Sequence, residues 1–181
     1  MRLKYSQWQS VFIFCLGLFM GTAFCMKWME TDLRFNEETF TILGLELFYS
    51  KQKVTHVLTS LDNCVQTILR YHLFFDFAFM AGVYPGITSL CMMAREKVNS
   101  SFLKKLLYIF AALQLLAWFA DVYENLSLLH WVREPSIGKE FAWYHIAVVV
   151  KWVIALAGLI VAIALTIKKG KPFESKTLFF F

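Results

Sequence analysis

Four long apolar segments dominate this sequence, at about residues 11–27, 71–94, 102–131 and 142–167. An α-helix needs about 20 predominantly apolar residues to cross the hydrocarbon core of a bilayer. The last three segments meet this requirement, and the chain as a whole is 59% hydrophobic but only 17% charged. The pattern predicts an all-α membrane protein, a four-transmembrane-helix up-down bundle that forms a single domain over residues 1–181.

The first segment is the shortest of the four and has two interpretations. Two basic residues ahead of an apolar stretch are typical of a secretory signal peptide. A cleavable signal has small residues before the cut, whereas the bulky Phe24 stands at the end of this segment. Trp8 and Trp28 bracket the segment as residues at a membrane interface do. We therefore interpret it as a transmembrane helix.

The distribution of Lys and Arg predicts the orientation of the bundle. The dense basic clusters are the short loop 95–105 and the basic tail 168–181. Because Lys and Arg accumulate on the cytoplasmic side of a membrane, both termini are predicted to be cytoplasmic in a multi-pass protein of the cell membrane. The long loop 28–70 and the short loop 132–141 then face outward.

The long outer loop has structure of its own. Residues 39–49 are apolar and begin with β-branched residues, which indicates a strand or a segment lying on the surface. Ser50 is a predicted helix cap, and helical spacing follows it at Val54, Val57, Leu58, Leu61, Val65 and Ile68. These features predict an amphipathic extracytoplasmic segment between helices 1 and 2, which either runs into the second span or packs over the bundle.

Four ionisable residues lie inside the apolar spans, namely Asp76, Asp121, Glu124 and Lys151. A charged side chain at the membrane centre costs roughly 2.5–3.5 kcal/mol, so such residues rarely face lipid. At 1.5 Å of rise per residue, all four lie roughly 9–15 Å below the predicted outer helix ends. They therefore share one layer in the outer half of the bilayer.

The spacing of these residues places them on inward faces. Asp121, Glu124 and Asn125 are three and four residues apart and share one side of the third helix. His72 and Asp76 share one side of the second helix. The predicted ligand-binding residues are Asp76, Asp121, Glu124, Asn125, Lys151 and His72. His72, together with His130 and His145, is expected near the mouth of this site.

Three hypotheses account for such a cluster. Fully ionised, three carboxylates and one ammonium carry −2, which like-charge repulsion opposes unless a proton or a cation joins them. The cluster therefore forms a pocket for a cation, a proton or a polar lipid head group, or it only clamps helices together. The third hypothesis is an enzyme that uses Asp121 or Glu124 as acid or base. A cavity of roughly 300 Å³ or more beside the carboxylates favours a ligand, and a closed cluster favours the clamp.

Other function classes find little support in the sequence. His72 and Asp76 have ligand spacing on a helix, but no further metal ligands are identified, so neither a metal nor a cofactor is expected. The basic residues sit at the ends of apolar segments, which argues against nucleic-acid binding. The partner is the lipid bilayer, and a pore would require a homo-oligomer. No C-x-x-C pair occurs, and a disulfide between Cys25 and Cys64 stays open.

Several short motifs resemble a group of bacterial four-helix membrane proteins without an established activity. They are Leu45-Glu46-Leu47 before the amphipathic helix, Tyr71 to Met80, Ala120-Asp121-Val122-Tyr123-Glu124-Asn125, and Lys151-Trp152. The resemblance covers most of the chain. It implies a shared fold and a recurring intramembrane set of Asp, Asp-x-x-Glu-Asn and Lys, and it implies no particular reaction.

Overall fold

The structure, a computed structural model, describes residues 4–35 and 38–167. Helices α1 (Tyr5–Glu30), α2 (Lys51–Thr59), α3 (Asn63–Lys97), α4 (Ser101–Arg133) and α5 (Phe141–Thr166) account for most of them. Between α1 and α2 lie two short strands, β1 (Arg34–Phe35) and β2 (Glu38–Thr39), and a single π-helical turn, Gly44–Phe48. We call this last element the π turn. The predicted basic tail 168–181 lies outside the described residues.

Helices α1, α3, α4 and α5 are each long and apolar enough to cross a membrane. Each of the four predicted apolar segments falls on one of them, and this part of the prediction is confirmed. Large apolar side chains cover their outer faces: Phe14 is 71% exposed, Phe119 64% and Ile160 65%. Contiguous apolar surface of this kind is unstable in water and suits a lipid environment, which supports a multi-pass membrane protein.

Helix α3 is the centre of the assembly, because α1, α4 and α5 all pack against it. Helix α1 approaches α3 closely at Gly82. A Cβ atom there would lie 2.7 Å from the backbone nitrogen of Phe19 and 3.0 Å from the carbonyl oxygen of Cys15. Contacts this short exclude a side chain, so glycine allows the two backbones to touch, as small residues do between membrane helices.

The segment between α1 and α3 differs in part from its prediction. Ser50 caps α2 as predicted, since its hydroxyl accepts a hydrogen bond from the backbone N–H of Lys53 at 3.3 Å. The helical spacing does not continue into the second span, because α2 ends at Thr59 and Asp62 caps α3 by accepting from the N–H of Val65 at 2.8 Å. The spacing therefore belongs to two helices, and α2 packs over the bundle against α4.

Residues 39–49 do not form a long strand, and they lie only partly on the surface. The strand pairing is only two residues deep, with Arg34 opposite Thr39 and Phe35 opposite Glu38. After it the chain turns inward. The apolar core at this end of the bundle includes Leu45, Leu69, Leu128, Trp131 and Tyr144. The prediction of a surface-lying segment therefore holds only in part, because Leu45 of the π turn is fully buried whereas Phe48 is 76% exposed. We call this end of the bundle the loop end.

The four cysteines, Cys15, Cys25, Cys64 and Cys91, all carry free thiols. The Cys25–Cys64 disulfide that the sequence leaves open is therefore not formed in the described part of the chain. Cys64 is exposed and Cys25 partly so.

Candidate functional site

Lys151 of α5 lies at the centre of a buried charge cluster. Its Nζ is 2.6 Å from Asp121 Oδ1 and 2.6 Å from Glu124 Oε2, both on α4. The same nitrogen is 3.4 Å from Oε2 of Glu46, on the π turn. All four residues are at least nine-tenths buried. One ammonium group thus pairs with three carboxyl groups that come from two separate parts of the chain.

Helix α3 adds a fourth carboxyl group, that of Asp76, and orients one of the other three. The Asn125 side-chain amide donates to Asp76 Oδ2 at 2.6 Å and to the carbonyl oxygen of Leu73 at 3.4 Å. The Tyr84 hydroxyl donates to Asp121 Oδ2 at 2.7 Å. The hydrogen bonds to Asp76 and Asp121 each join α3 to α4, so they hold these two carboxyl groups in fixed positions.

The structure brings the predicted site residues into one layer of the bundle. They are Asp76, Asp121, Glu124, Asn125, Lys151 and, one turn before Asp76, His72. His72 is only 1% exposed, and its Nδ1 atom has no hydrogen-bond partner among the described residues. His130 and His145 are exposed, and of the three histidines only His72 lines a cavity that lies beside the cluster.

The sequence interpretation missed Glu46 as a site residue. Its motif entered the argument only through the resemblance. The π turn directs the Glu46 carboxylate toward α5, where the Trp152 indole N–H donates a hydrogen bond to Glu46 Oε2 at 3.4 Å. The Tyr144 hydroxyl, also on α5, donates to the backbone carbonyl of Leu45 at 3.3 Å. Glu46 is 7% exposed. The signal that could have found it is a single carboxylate inside the apolar stretch 39–49.

Glu46 changes the charge balance of the cluster. Four carboxyl groups against one ammonium carry −3 when all are ionised, instead of the −2 expected from the sequence. Burial raises the pKa of the Glu46 carboxyl above its ordinary range; the Asp121 carboxylate adds to this effect and the Lys151 ammonium opposes it. Full ionisation in a low-dielectric interior is therefore unfavourable, and the cluster calls for protons or for additional positive charge.

A cavity of about 540 Å³ opens beside the cluster, between α1, α3 and α5 and beneath the π turn. Its polar wall at the cluster includes Glu46, His72, Asp76, Asp121 and Lys151, and Lys27 and Glu30 of α1 line it as well. The opposite wall is apolar, with aromatic and aliphatic side chains that include Phe19, Phe79, Val83, Ile87, Leu156 and Leu159. This volume is in the range of small-molecule sites, which are mostly apolar with a few convergent polar groups.

The predicted residues do not all face this cavity. His72, Asp76, Asp121 and Lys151 line it, whereas Glu124 and Asn125 act from behind, through Lys151 and Asp76. Chemically, the arrangement can bind positive charge or exchange protons. Among the described residues, no group of three or more His, Cys, Asp or Glu side chains is arranged to hold a metal ion.

Comparison of the chain with protein-family models, with curated proteins and with solved structures finds no match. The resemblance to bacterial four-helix membrane proteins therefore stays a prediction.

We expect the replacement Glu46→Gln to flatten the pH dependence of stability. Because the pKa of Glu46 is raised above its ordinary value of 4.5, the folded state holds this proton more tightly than the unfolded state. Its contribution to stability is complete below that value and is lost as pH rises above it. The Tm of the variant should therefore rise relative to the native Tm as the pH increases above about 4.5.

Thermal unfolding in detergent at several pH values measures this difference. Glu38→Gln is the matched control, because Glu38 is exposed on β2, and its Tm should follow the native curve. A native Tm that rises over the same pH range relative to Glu46→Gln would contradict the expected direction of the shift.

Proposed function

We propose that the protein is a multi-pass membrane protein whose polar pocket, facing the outer leaflet, binds a cation, a proton or the polar head group of a lipid. The observation that carries the proposal is the cavity of about 540 Å³ beside carboxyl groups that outnumber their ammonium partner. A cluster built only to hold helices together has no need of unbalanced charge or of adjoining space.

The proposal includes an orientation. In it the bundle is up-down, both termini lie in the cytoplasm of a cell-membrane protein, and the segment between the first two membrane helices is extracytoplasmic. The basic residues on either side of the connector 98–100 support this orientation, because Arg95, Lys97, Lys104 and Lys105 flank the end of the bundle opposite the loop end. The cluster then lies in the outer half of the bilayer.

Each predicted binding residue has a role in this proposal. His72 and Asp76 contact the ligand directly, because both line the cavity and the His72 Nδ1 atom has no partner in the described part of the chain. Asp121 and Lys151 form the back of the site. Asn125 orients Asp76 by donating a hydrogen bond to it, whereas Glu124 supplies buried charge behind Lys151.

A second candidate function, a purely structural clamp, is favoured by one observation. Lys151 of α5 joins Asp121 and Glu124 of α4 to Glu46 of the π turn, and these contacts would tie three elements together without any ligand. In a clamp, every carboxylate contributes to stability and none is held for a ligand.

Thermal stability of Asp76→Asn in detergent separates the two functions. If the pocket binds a ligand, this variant should be about as stable as the native protein, because Asn still accepts the Asn125 hydrogen bond and one buried charge is removed. Asp76→Asn should, however, lose the stabilisation that a change of pH, inorganic cations or added lipids give the native protein. A ligand at about a hundred times its Kd stabilises by about 2.7 kcal/mol, so the loss is measurable.

Asp32→Asn is the matched control, because Asp32 is exposed and does not line the cavity. It should keep the response of the native protein to every additive. The clamp is the better account if Asp76→Asn and Glu124→Gln both melt much earlier than the native protein while no additive and no pH protects the native protein.

A further inference from the structure

A second, smaller cavity adjoins the large one along α3. The second cavity has a volume of about 150 Å³ and lies between α1, α3 and α5. The two share Phe19, Val83, Ile87 and Leu159 in their walls. Together they form one apolar groove that begins at the charge cluster and runs away from the loop end. We call it the apolar groove.

The groove has the length of a lipid chain. On α3 it extends from Asp76, at the charge cluster, to Leu90, at the far end of the smaller cavity. At 1.5 Å of rise per residue this separation is roughly 20 Å. One leaflet provides about 15 Å of the roughly 30 Å hydrocarbon core, so a single extended chain of membrane length fits along the groove.

The polar end of the groove selects the charge of the head group. Its carboxyl groups carry an excess of negative charge, so a cationic head group is complementary and an anionic one is repelled. A bare metal ion is a poor occupant, because Lys151 Nζ already occupies the point 2.6 Å from both Asp121 and Glu124. The His72 Nδ1 atom, buried and without a partner among the described residues, is a further polar group that faces the cavity.

A phosphate group has no obvious place on this wall. The two lysines that line the cavity are both paired: Lys151 with three carboxyl groups, and Lys27 with Glu30 at 2.8 Å. A head group that carries phosphate next to its ammonium would put that phosphate against carboxylates. The wall therefore favours an ammonium attached directly to an apolar chain.

We propose that the groove binds a long-chain amine, with its ammonium at Asp76 and Glu46 and its single apolar chain along Val83 and Ile87. This inference rests on the proposed function and names the ligand class of the same pocket. The amine balances part of the excess negative charge of the cluster, and its chain fills the space between α1 and α5 that the packing of α1 on α3 leaves open.

The first test compares additives that share one chain and differ in head group. Hexadecylamine, hexadecanol, hexadecanoic acid and phosphatidylethanolamine are added at equal mole fraction to the native protein in detergent. Hexadecylamine should raise the Tm by about 5 °C or more near a hundred times its Kd, and the others should not. Butylamine at the same concentration should give no shift, because it lacks the chain.

The second test locates the chain. A hexadecylamine analogue with a diazirine on its terminal carbon should label the native protein around Cys15 and Leu90, as mass spectrometry of peptides would show. Val83→Trp places a large side chain where the two cavities meet and should reduce this labelling at least tenfold. Val153→Trp is the matched control, since Val153 is 62% exposed on α5 and lines neither cavity.

The outcomes distinguish this inference from the proposed function. Equal protection by the alcohol, the acid, the phospholipid or butylamine overturns the long-chain amine, as does native labelling at lipid-facing positions only. Protection by protons or inorganic cations, without any by hexadecylamine, also overturns it but leaves the proposed function standing. If nothing protects the native protein, both proposals fail.

Discussion

Replacing Lys151 with methionine is expected to lower the free energy of unfolding by about 3–5 kcal/mol, because removal of one partner from a buried ion pair leaves uncompensated charge. Here the effect falls on three carboxyl groups at once, those of Glu46, Asp121 and Glu124. For a chain of 181 residues the loss corresponds to a decrease in Tm of about 10 °C. Thermal unfolding in detergent at neutral pH measures it.

The matched control is Lys105→Met, which removes an exposed lysine from α4 and should change the free energy of unfolding by no more than about 0.5 kcal/mol. A second control adds Glu124→Gln to Lys151→Met. Because this removes one of the stranded charges, the double variant should be more stable than Lys151→Met alone. A Lys151→Met protein as stable as the native one would show that the ammonium does not compensate the cluster.

The second large effect is expected at Gly82, where α1 touches α3. Gly82→Leu should cost about 3 kcal/mol, because overpacking of a close contact forces the backbone to shift. The atoms in the way are backbone atoms, the nitrogen of Phe19 at 2.7 Å and the carbonyl oxygen of Cys15 at 3.0 Å, and they cannot rotate aside. Helix α1 should therefore move away from α3, and the cavity should lose one of its walls.

A disulfide reports this movement directly. In Gly86→Cys, the new Cβ would lie 3.3 Å from Cys15 Cβ, close to the usual spacing for a disulfide, so oxidation should consume both thiols. In the Gly82→Leu background the same pair should stay reduced, as thiol-alkylation mass spectrometry would show. Gly17→Leu is the control, since a Cβ at Gly17 meets nothing within 4 Å. Efficient oxidation despite Gly82→Leu would mean that α1 packs differently.

The two predictions concern different levels of the structure. The Lys151→Met variant tests whether charge compensation holds α4, α5 and the π turn together. The Gly82→Leu variant tests whether the close fit of two backbones holds α1 in place. Both matter for the pocket, because α4, α5 and the π turn form part of its polar wall and α1 closes its apolar side.

The candidate site was predictable to the extent that it lies on regular helices. Asp121, Glu124 and Asn125 face inward because residues three and four apart share a helix face, and the cost of charge in lipid excludes the outward alternative. The same rule applies to His72 and Asp76. Neither rule requires knowledge of any neighbouring helix, which explains why sequence reasoning alone identified these residues.

Glu46 shows where that reasoning ends. It lies on an irregular element, the π turn, and it reaches Lys151 across more than 100 residues of chain. The spacing of neighbouring residues carries no information about such a contact. The break between α2 and α3 was missed for a related reason, because the apolar positions keep helical spacing through a point where Asp62 caps a new helix.

By itself, the sequence determined the number of long apolar helices and the inward direction of their charges. Both follow from the cost of exposing polar groups to lipid, which acts on each segment separately. Only the tertiary structure decided that Glu46 joins the charge cluster, that α1 approaches α3 closely at Gly82, and that a cavity lies between α1 and α5. These features depend on how distant segments pack, and a cavity is the space that packing leaves unfilled, which no local pattern encodes.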